Sequence, residues 1–215
     1  MRSIENNARP PAAGAQVGQA QAADLLGDFS ALLQQIGTPL FPLGSGGWPQ
    51  GKPLKEVLAA YAENVLLPLE LPAIAEACRH TLRGELRELI AQDQRLAKLL
   101  QRTPFARPSQ QIGRMQLARL RPLRDERTVR RYAAAVDSSQ AHGWHTLVYG
   151  MTLAVYSLPL RQGLLYYAQE TLSALAGAAG QSRSLAEADL SQILETLMER
   201  VPDAATAALA QCPAF

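Results

Sequence analysis

Aromatic side chains are scarce in this chain: Phe, Trp and Tyr make up 6% of its 215 residues, against 47% for all hydrophobic types. Leu and Ala must carry the burial, a balance that favours helices over a sandwich or barrel. Strand-type alternation is nowhere convincing. Only two cysteines occur, Cys78 and Cys212, which form neither a disulfide framework nor a metal-binding spacing. Cys78 lies among Ile74, Ala75 and Ala77 and reads as a small core residue, whereas Cys212, in Gln211-Cys212-Pro213, reads as a bystander. Long apolar runs are also missing. The first twenty residues lack the apolar core of a signal peptide. The most continuous apolar stretch, Leu147 to Leu160, is broken by Tyr149, Thr152, Ser157 and Pro159 and is too short to span a bilayer. A cytoplasmic protein without a membrane partner is the expectation.

Charge is modest as well. The net charge of +2 and a pI near 8.7 do not demand nucleic acid, but the charge is unevenly placed. Arg102, Arg107, Arg114, Arg119, Arg121, Arg124, Arg127, Arg130 and Arg131 fall within about one helical hairpin, opposed only by Asp125 and Glu126. Such a patch could meet an acidic partner surface, the plainer alternative being a solvated helical face. A nucleic-acid-associated helical regulator is the remotest reading. It lacks a helix-turn-helix signature and the Lys and aromatic residues that accompany phosphate contacts.

What the chain does contain is one helical pattern after another. Residues 1–22 are rich in Ala, Gln, Gly, Asn and Pro with almost nothing to bury, and are expected to form a disordered arm. Helical spacing begins with Leu25, Phe29, Leu32, Leu33 and Ile36 and stops at Gly37-Thr38-Pro39. The irregular segment Phe41-Pro42-Leu43-Gly44-Ser45-Gly46-Gly47-Trp48 follows, and as the one such segment among helices it is the first place to look for specific recognition. A helix from about Leu54 is expected to break near Pro68 and again before Pro72. The next runs through Ile74, Cys78 and Leu82, bends near Gly84 and continues to Leu100. Ser109 is placed to cap the helix carrying Ile112, Met115, Leu117 and Leu120. Further helices are expected over Arg124–Val136, His142–Tyr156, Leu160–Ala179 and Leu190–Val201, with His142–Tyr156 central because it is apolar on most sides. The expectation is an all-α, single-domain bundle of about eight helices over residues 23–203, with a short tail at 204–215.

Catalytic motifs do not assemble. Gly44-Ser45-Gly46-Gly47 follows no strand and precedes no Lys-Ser/Thr pair, so it is no phosphate-binding loop, and a nucleophile elbow is absent. His142 and His145 share a helix-face spacing but have no Cys, Asp or Glu beside them, which makes them weak metal candidates against a capping or core-edge role. Glu85 and Glu88 lie among Arg83, Arg87 and Arg95 as surface ion pairs would, while Asp93 falls near the apolar stripe of its helix, a position that asks for burial with hydrogen-bond partners. The chain thus reads as a scaffold that acts by binding, without cofactor or catalytic residue.

Several segments in register resemble the urease accessory protein F family. Pro42–Trp48 is similar to its Pro-x-Gly-Gly-Phe, and Glu70-Leu71-Pro72 to the acidic-Leu-Pro that opens a helix. Ser109-Gln110-Gln111-Ile112-Gly113-Arg114 resembles Ser-x-Gln-Met-Gly-Arg, and Trp144–Gly150 the family's His-x-Pro-Val-Val-Phe-Gly, with Tyr149-Gly150 on the Phe-Gly pair. Ser173–Ala179 resembles Ser-Asn-Leu-(small)-Ser-Ala-Ala, and Leu185, Asp189, Ile193, Leu194 and Leu197 fall on the leucine stripe that follows. Together these cover about residues 25–202. The chain departs from the pattern at Pro49–Lys55, at Gln181 and Ser184–Glu187, and in a basic, His-containing C-terminal tail with no counterpart before Phe215. Those departures describe a diverged member, whose client could differ.

The resemblance implies a non-enzymatic assembly factor for nickel-dependent urease. Such a factor dimerises and bridges a scaffold accessory protein and a nickel-delivering GTPase, and the complex acts on apo-urease. It implies partner-binding roles for Gly46, Gly47, Trp48, Ser109, Gly113, Arg114, His145, Tyr149 and Gly150. Gly113 in particular is expected to permit close approach of a neighbouring helix.

Overall fold

The structure, a computed structural model, describes residues 53–101, 106–120, 127–183 and 187–211. The expected arm, the first helix and the loop ending at Trp48 lie outside the described residues, as do Arg102, Arg121, Arg124 and Cys212. Among the described residues the fold is all-α. Its elements are α1 (Leu54–Tyr61), a π-helical segment π1 (Ala62–Glu70), α2 (Leu71–Leu82), α3 (Leu86–Leu100), α4 (Ala106–Leu120), α5 (Arg127–Asp137), α6 (His145–Val155), α7 (Leu160–Arg183), α8 (Glu187–Met198) and α9 (Val201–Ala210).

The breaks expected at Pro68 and Pro72 do not occur. Tyr61, Glu70 and Leu71 all keep right-handed helical backbone, so α1, π1 and α2 form one continuous rod. A proline inside an α-helix clashes with the carbonyl four residues back and removes a donor; the wider π turn around Pro68 makes room for the ring. Pro72 follows inside the same rod, as the second residue of α2, so the rod goes without that backbone donor there. The rod is long and apolar enough to cross a membrane by length and composition, yet half of its most apolar window is buried inside the bundle.

The bend expected at Gly84 is a full reversal. Gly84 adopts φ +68°, Glu85 N–H donates to the His80 carbonyl at 2.8 Å, and α3 returns antiparallel to α2. Gln92 Nε2 donates to the Ala73 carbonyl, and Arg95 reaches Glu76 at 2.7 Å across the pair. Glu85 bonds buried His80 at 2.7 Å, so Glu85 and Arg95 find partners on α2 rather than among their own neighbours.

The expectation of a central α6 holds: every residue from His145 to Ala154 is buried. Its closest approach is to α2. A Cβ at Gly150 would meet the Ile74 carbonyl, Ala77 Cβ at 2.9 Å and Cys78 N at 3.0 Å, so the crossing needs glycine there. The apolar interior divides in two. One cluster joins α1, π1, α7, α8 and α9 with parts of α2, α4 and α6 around Leu58, Leu66, Ile74, Leu164 and Val201. The other joins α3, α4, α5 and α6 around Leu89, Val129, Tyr132, Trp144 and Met151. The last helix, α9, spans the boundary expected at residue 203 and packs on α2 and α7 with Val201, Ala205 and Ala208 buried.

Candidate functional site

The arginine-rich helices are held by a turn that a buried carboxylate organises. Asp93, fully buried on α3, accepts hydrogen bonds from Tyr132 Oη at 2.6 Å, His142 N at 2.7 Å, His142 Nδ1 at 2.9 Å and Gly143 N at 3.0 Å. The indole of Trp144 donates to the Asp93 backbone carbonyl at 3.1 Å and stacks on His142. Such a set of charge-assisted bonds is what lets a carboxylate stay inside. It fixes residues 142–144 directly ahead of α6. Gly143 takes φ +75° there, a conformation that favours glycine.

That turn is where α4 docks. A Cβ on Gly113 would collide with the Gly143 carbonyl and come within 2.9 Å of Trp144 C and 2.8 Å of His145 N. Gly113 therefore does admit a close backbone approach, to the turn before α6. Arg114, next along α4, is exposed, and its stem lies beside Gly143.

A second buried polar chain crosses the other cluster. Ser109 Oγ lies 2.6 Å from His145 Nδ1, and His145 Nε2 lies 2.7 Å from Tyr167 Oη. Tyr167 then donates to Glu70 Oε2 at 3.1 Å, and Tyr61 donates to the same oxygen at 2.8 Å. Burial pushes the Glu70 carboxyl up to about 7, opposed by the two phenol hydrogen bonds. Burial also pulls His145 down to about 3, so the imidazole is neutral. Ser109 thus does not cap its helix. The helix starts at Ala106, and the Ser109 side chain turns inward to His145 instead.

Of the residues singled out in the sequence, Ser109, Gly113, His145, Tyr149 and Gly150 lie inside the bundle, where they set helix spacing and polar pairing. Tyr149 donates to the Gly163 carbonyl at 3.0 Å and sits tilted against Tyr167. Arg114 alone of the described set faces outward. Gly46, Gly47 and Trp48 lie outside the described residues. His142 and His145 are not brought together, since one serves Asp93 and the other Ser109 and Tyr167. Among the described residues no group of three or more His, Cys, Asp or Glu is placed to hold a metal ion.

Sequence reasoning missed Glu70, Tyr61 and Tyr167 as a group. Glu70 stands four residues from both Leu66 and Ile74, each fully buried, and that spacing on an apolar stripe was the available signal.

Exposed charge on α4 and α5 is almost all of one sign. Arg107, Arg114, Arg119, Arg127, Arg130 and Arg131 are all exposed, and Asp137 is the one acidic residue on these helices. Arg127, Arg130 and Arg131 follow helical spacing on one side of α5, opposite buried Val129, Tyr132 and Val136. The UreF family model matches residues 50–198, and the chain belongs to that family. Its role is accordingly that of a urease accessory protein, a family that is not one of enzymes. At the level of single sequences, no curated protein matches the chain.

Proposed function

We propose that this chain is a non-catalytic assembly factor for nickel-dependent urease that bridges a scaffold accessory protein and a nickel-delivering GTPase. Its arginine face on α4 and α5 is one docking surface, and the complex acts on apo-urease. Nickel is cargo carried by the GTPase, which also performs the nucleotide chemistry. The observation that carries this reading is the exposure of six arginines on two neighbouring helices that hold one carboxylate, in a chain of the UreF family. Guanidinium groups suit the forked pairing that carboxylates on a partner surface offer. The Gly113 crossing and the Asp93 turn support the reading because they hold the face rigid before a partner arrives, which lowers the entropy lost on binding. The Gly46-Gly47-Trp48 segment is proposed as a second contact, with Trp48 as its anchor. Self-association into a homodimer belongs to the same proposal.

Co-purification with the accessory partners tests it. The double variant Arg114→Glu, Arg130→Glu is expected to lose capture of one partner by at least roughly tenfold at low salt, with its helical signal intact. Capture equal to the parent would remove the face from the assembly. Trp48→Ala is expected to leave the urea midpoint unchanged while weakening co-purification.

A further inference from the structure

The buried chain from Ser109 to Glu70 has a property that its individual bonds do not. Along the chain, His145 and Tyr167 each carry one hydrogen toward one neighbour and accept from the other, and Thr171 stands beside Tyr167 as a further hydrogen-bond partner. Directions along the chain are therefore coupled. With Glu70 ionised, Tyr167 must donate to it; His145 then donates from Nε2 to Tyr167, and Ser109 donates to Nδ1. With Glu70 protonated, its hydroxyl can donate to Tyr167. Tyr167 then donates to His145 Nε2, and His145 carries its hydrogen on Nδ1, toward Ser109.

We propose that Ser109, His145, Tyr167 and Glu70 form a two-state proton switch, in which uptake of one proton reverses every hydrogen bond between π1 and α4. The balance is simple. One proton enters from solvent, Glu70 gains an O–H bond, and Tyr167 passes its hydrogen to Glu70 while receiving that of His145 Nε2. His145 receives the hydrogen of Ser109 on Nδ1, and the entering proton restores the Ser109 hydroxyl. No other bond changes, and His145 remains neutral in both states.

Geometry favours a switch over a fixed brace. All four members are buried, and the donors to Glu70 are phenol hydroxyls, which can rotate and reverse. The groups facing Glu70 are Tyr61 from α1, Tyr167 from α7 and His145 from α6, whose Nε2 lies 3.9 Å from Oε1. The charged residues of α2 are engaged elsewhere: Glu76, Arg79 and His80 cluster with Arg95 and Glu85. The one charged residue of α9, Asp203, is exposed, and Arg200 ahead of it pairs with exposed Glu63. Glu70 titrates at about 7, inside the range a cell can traverse. The far end of the chain is Ser109 in the first turn of α4, four residues from the Gly113 crossing and five from Arg114. The consequence is that Glu70 biases the seating of α4. That consequence rests on the docking role proposed for the arginine face; the switch itself does not.

The test is the ring-nitrogen spectrum of His145 in the isolated full chain, recorded by ¹⁵N NMR from pH 5.5 to 8.5. The expected result is an Nδ1–H tautomer at the acid end and an Nε2–H tautomer at the alkaline end, the ratio changing by at least about tenfold for a group titrating near 7. Glu70→Gln and Tyr167→Phe are each expected to abolish that dependence, the first by removing the titrating group and the second by cutting the chain. A tautomer constant with pH in the parent protein would overturn the proposal, as would an imidazolium signal over this range. A parent-like transition in either variant would overturn it too, and should both variants fail to fold, the parent titration decides alone. No partner is present in this measurement, so its failure leaves the urease reading untouched.

Discussion

The two halves of the interior each bury a carboxylate, and they treat it differently. Asp93 is met by two backbone N–H groups of a turn, together with a phenol and an imidazole. Glu70 is met by two phenol hydroxyls. Backbone donors cannot rotate away, so the Asp93 arrangement has one geometry and serves to lock residues 142–144 against α4. Hydroxyl donors can turn round, so the Glu70 arrangement has two. The donors around a buried charge, more than the burial, decide whether it braces or switches.

The contrast is sharpest under substitution. Asp93→Ala strands the buried donors of Tyr132 and Gly143 and unpairs half-buried His142, and is expected to cost roughly 3–5 kcal/mol. Denaturant unfolding would read it, and a loss below about 1 kcal/mol would mean the turn is held by other contacts.

Glu70 behaves oppositely. Its folded-state pKa stands at about 7 against an ordinary 4.5, so the folded chain holds the proton more tightly. Stability is full below the ordinary value and falls as pH rises to about 7, by roughly 3 kcal/mol as an order of magnitude. His145 runs the other way. Its pKa drops from 6.5 to about 3, so its stabilising neutrality is full above 6.5 and is lost as pH falls toward 3. Between about 4.5 and 6.5 the two slopes oppose each other. Glu70→Gln removes the first, and is expected to gain stability relative to the parent on going from pH 5 to pH 8. Parallel stability-against-pH curves for the two proteins would contradict that.

Gly113→Leu is expected to cost about 1–3 kcal/mol by overpacking the crossing with the 143–145 turn. An unchanged urea midpoint would show that α4 can shift freely. The smallest effect is expected on the surface: Arg114→Glu with Arg130→Glu should move stability by no more than about 0.5 kcal/mol.

Much of the fold was legible because helical patterning reports burial directly. The Leu and Ala stripes located α7 and α8, and the apolar surround of His142–Tyr156 marked that stretch, which contains α6, as central. Asp93 was legible for the same reason, as a polar residue standing on an apolar stripe. Pro68 misled, because local sequence does not show that a π turn can absorb the ring. Ser109 misled as a cap, because its partner His145 lies 36 residues away, beyond any local signal. A longer separation hid the Glu70 chain: Tyr167 lies 97 residues from Glu70, and the chain links Glu70 to Ser109 only once π1, α4, α6 and α7 have packed. The arginine cluster was visible in sequence as a count; its division into an outward face and an apolar inner side follows from the helices.

The central claim is that a rigid arginine face on this UreF-family scaffold serves urease activation. Its most direct test is urease activity under nickel limitation, in cells lacking this gene and complemented with either the parent chain or the Arg114→Glu, Arg130→Glu variant at equal abundance. The parent is expected to restore activity and the variant to leave it at least tenfold lower, roughly the effect of losing one docking surface. Equal restoration by both would contradict the account of the face, and urease activity that never depended on the gene would contradict the assembly role itself.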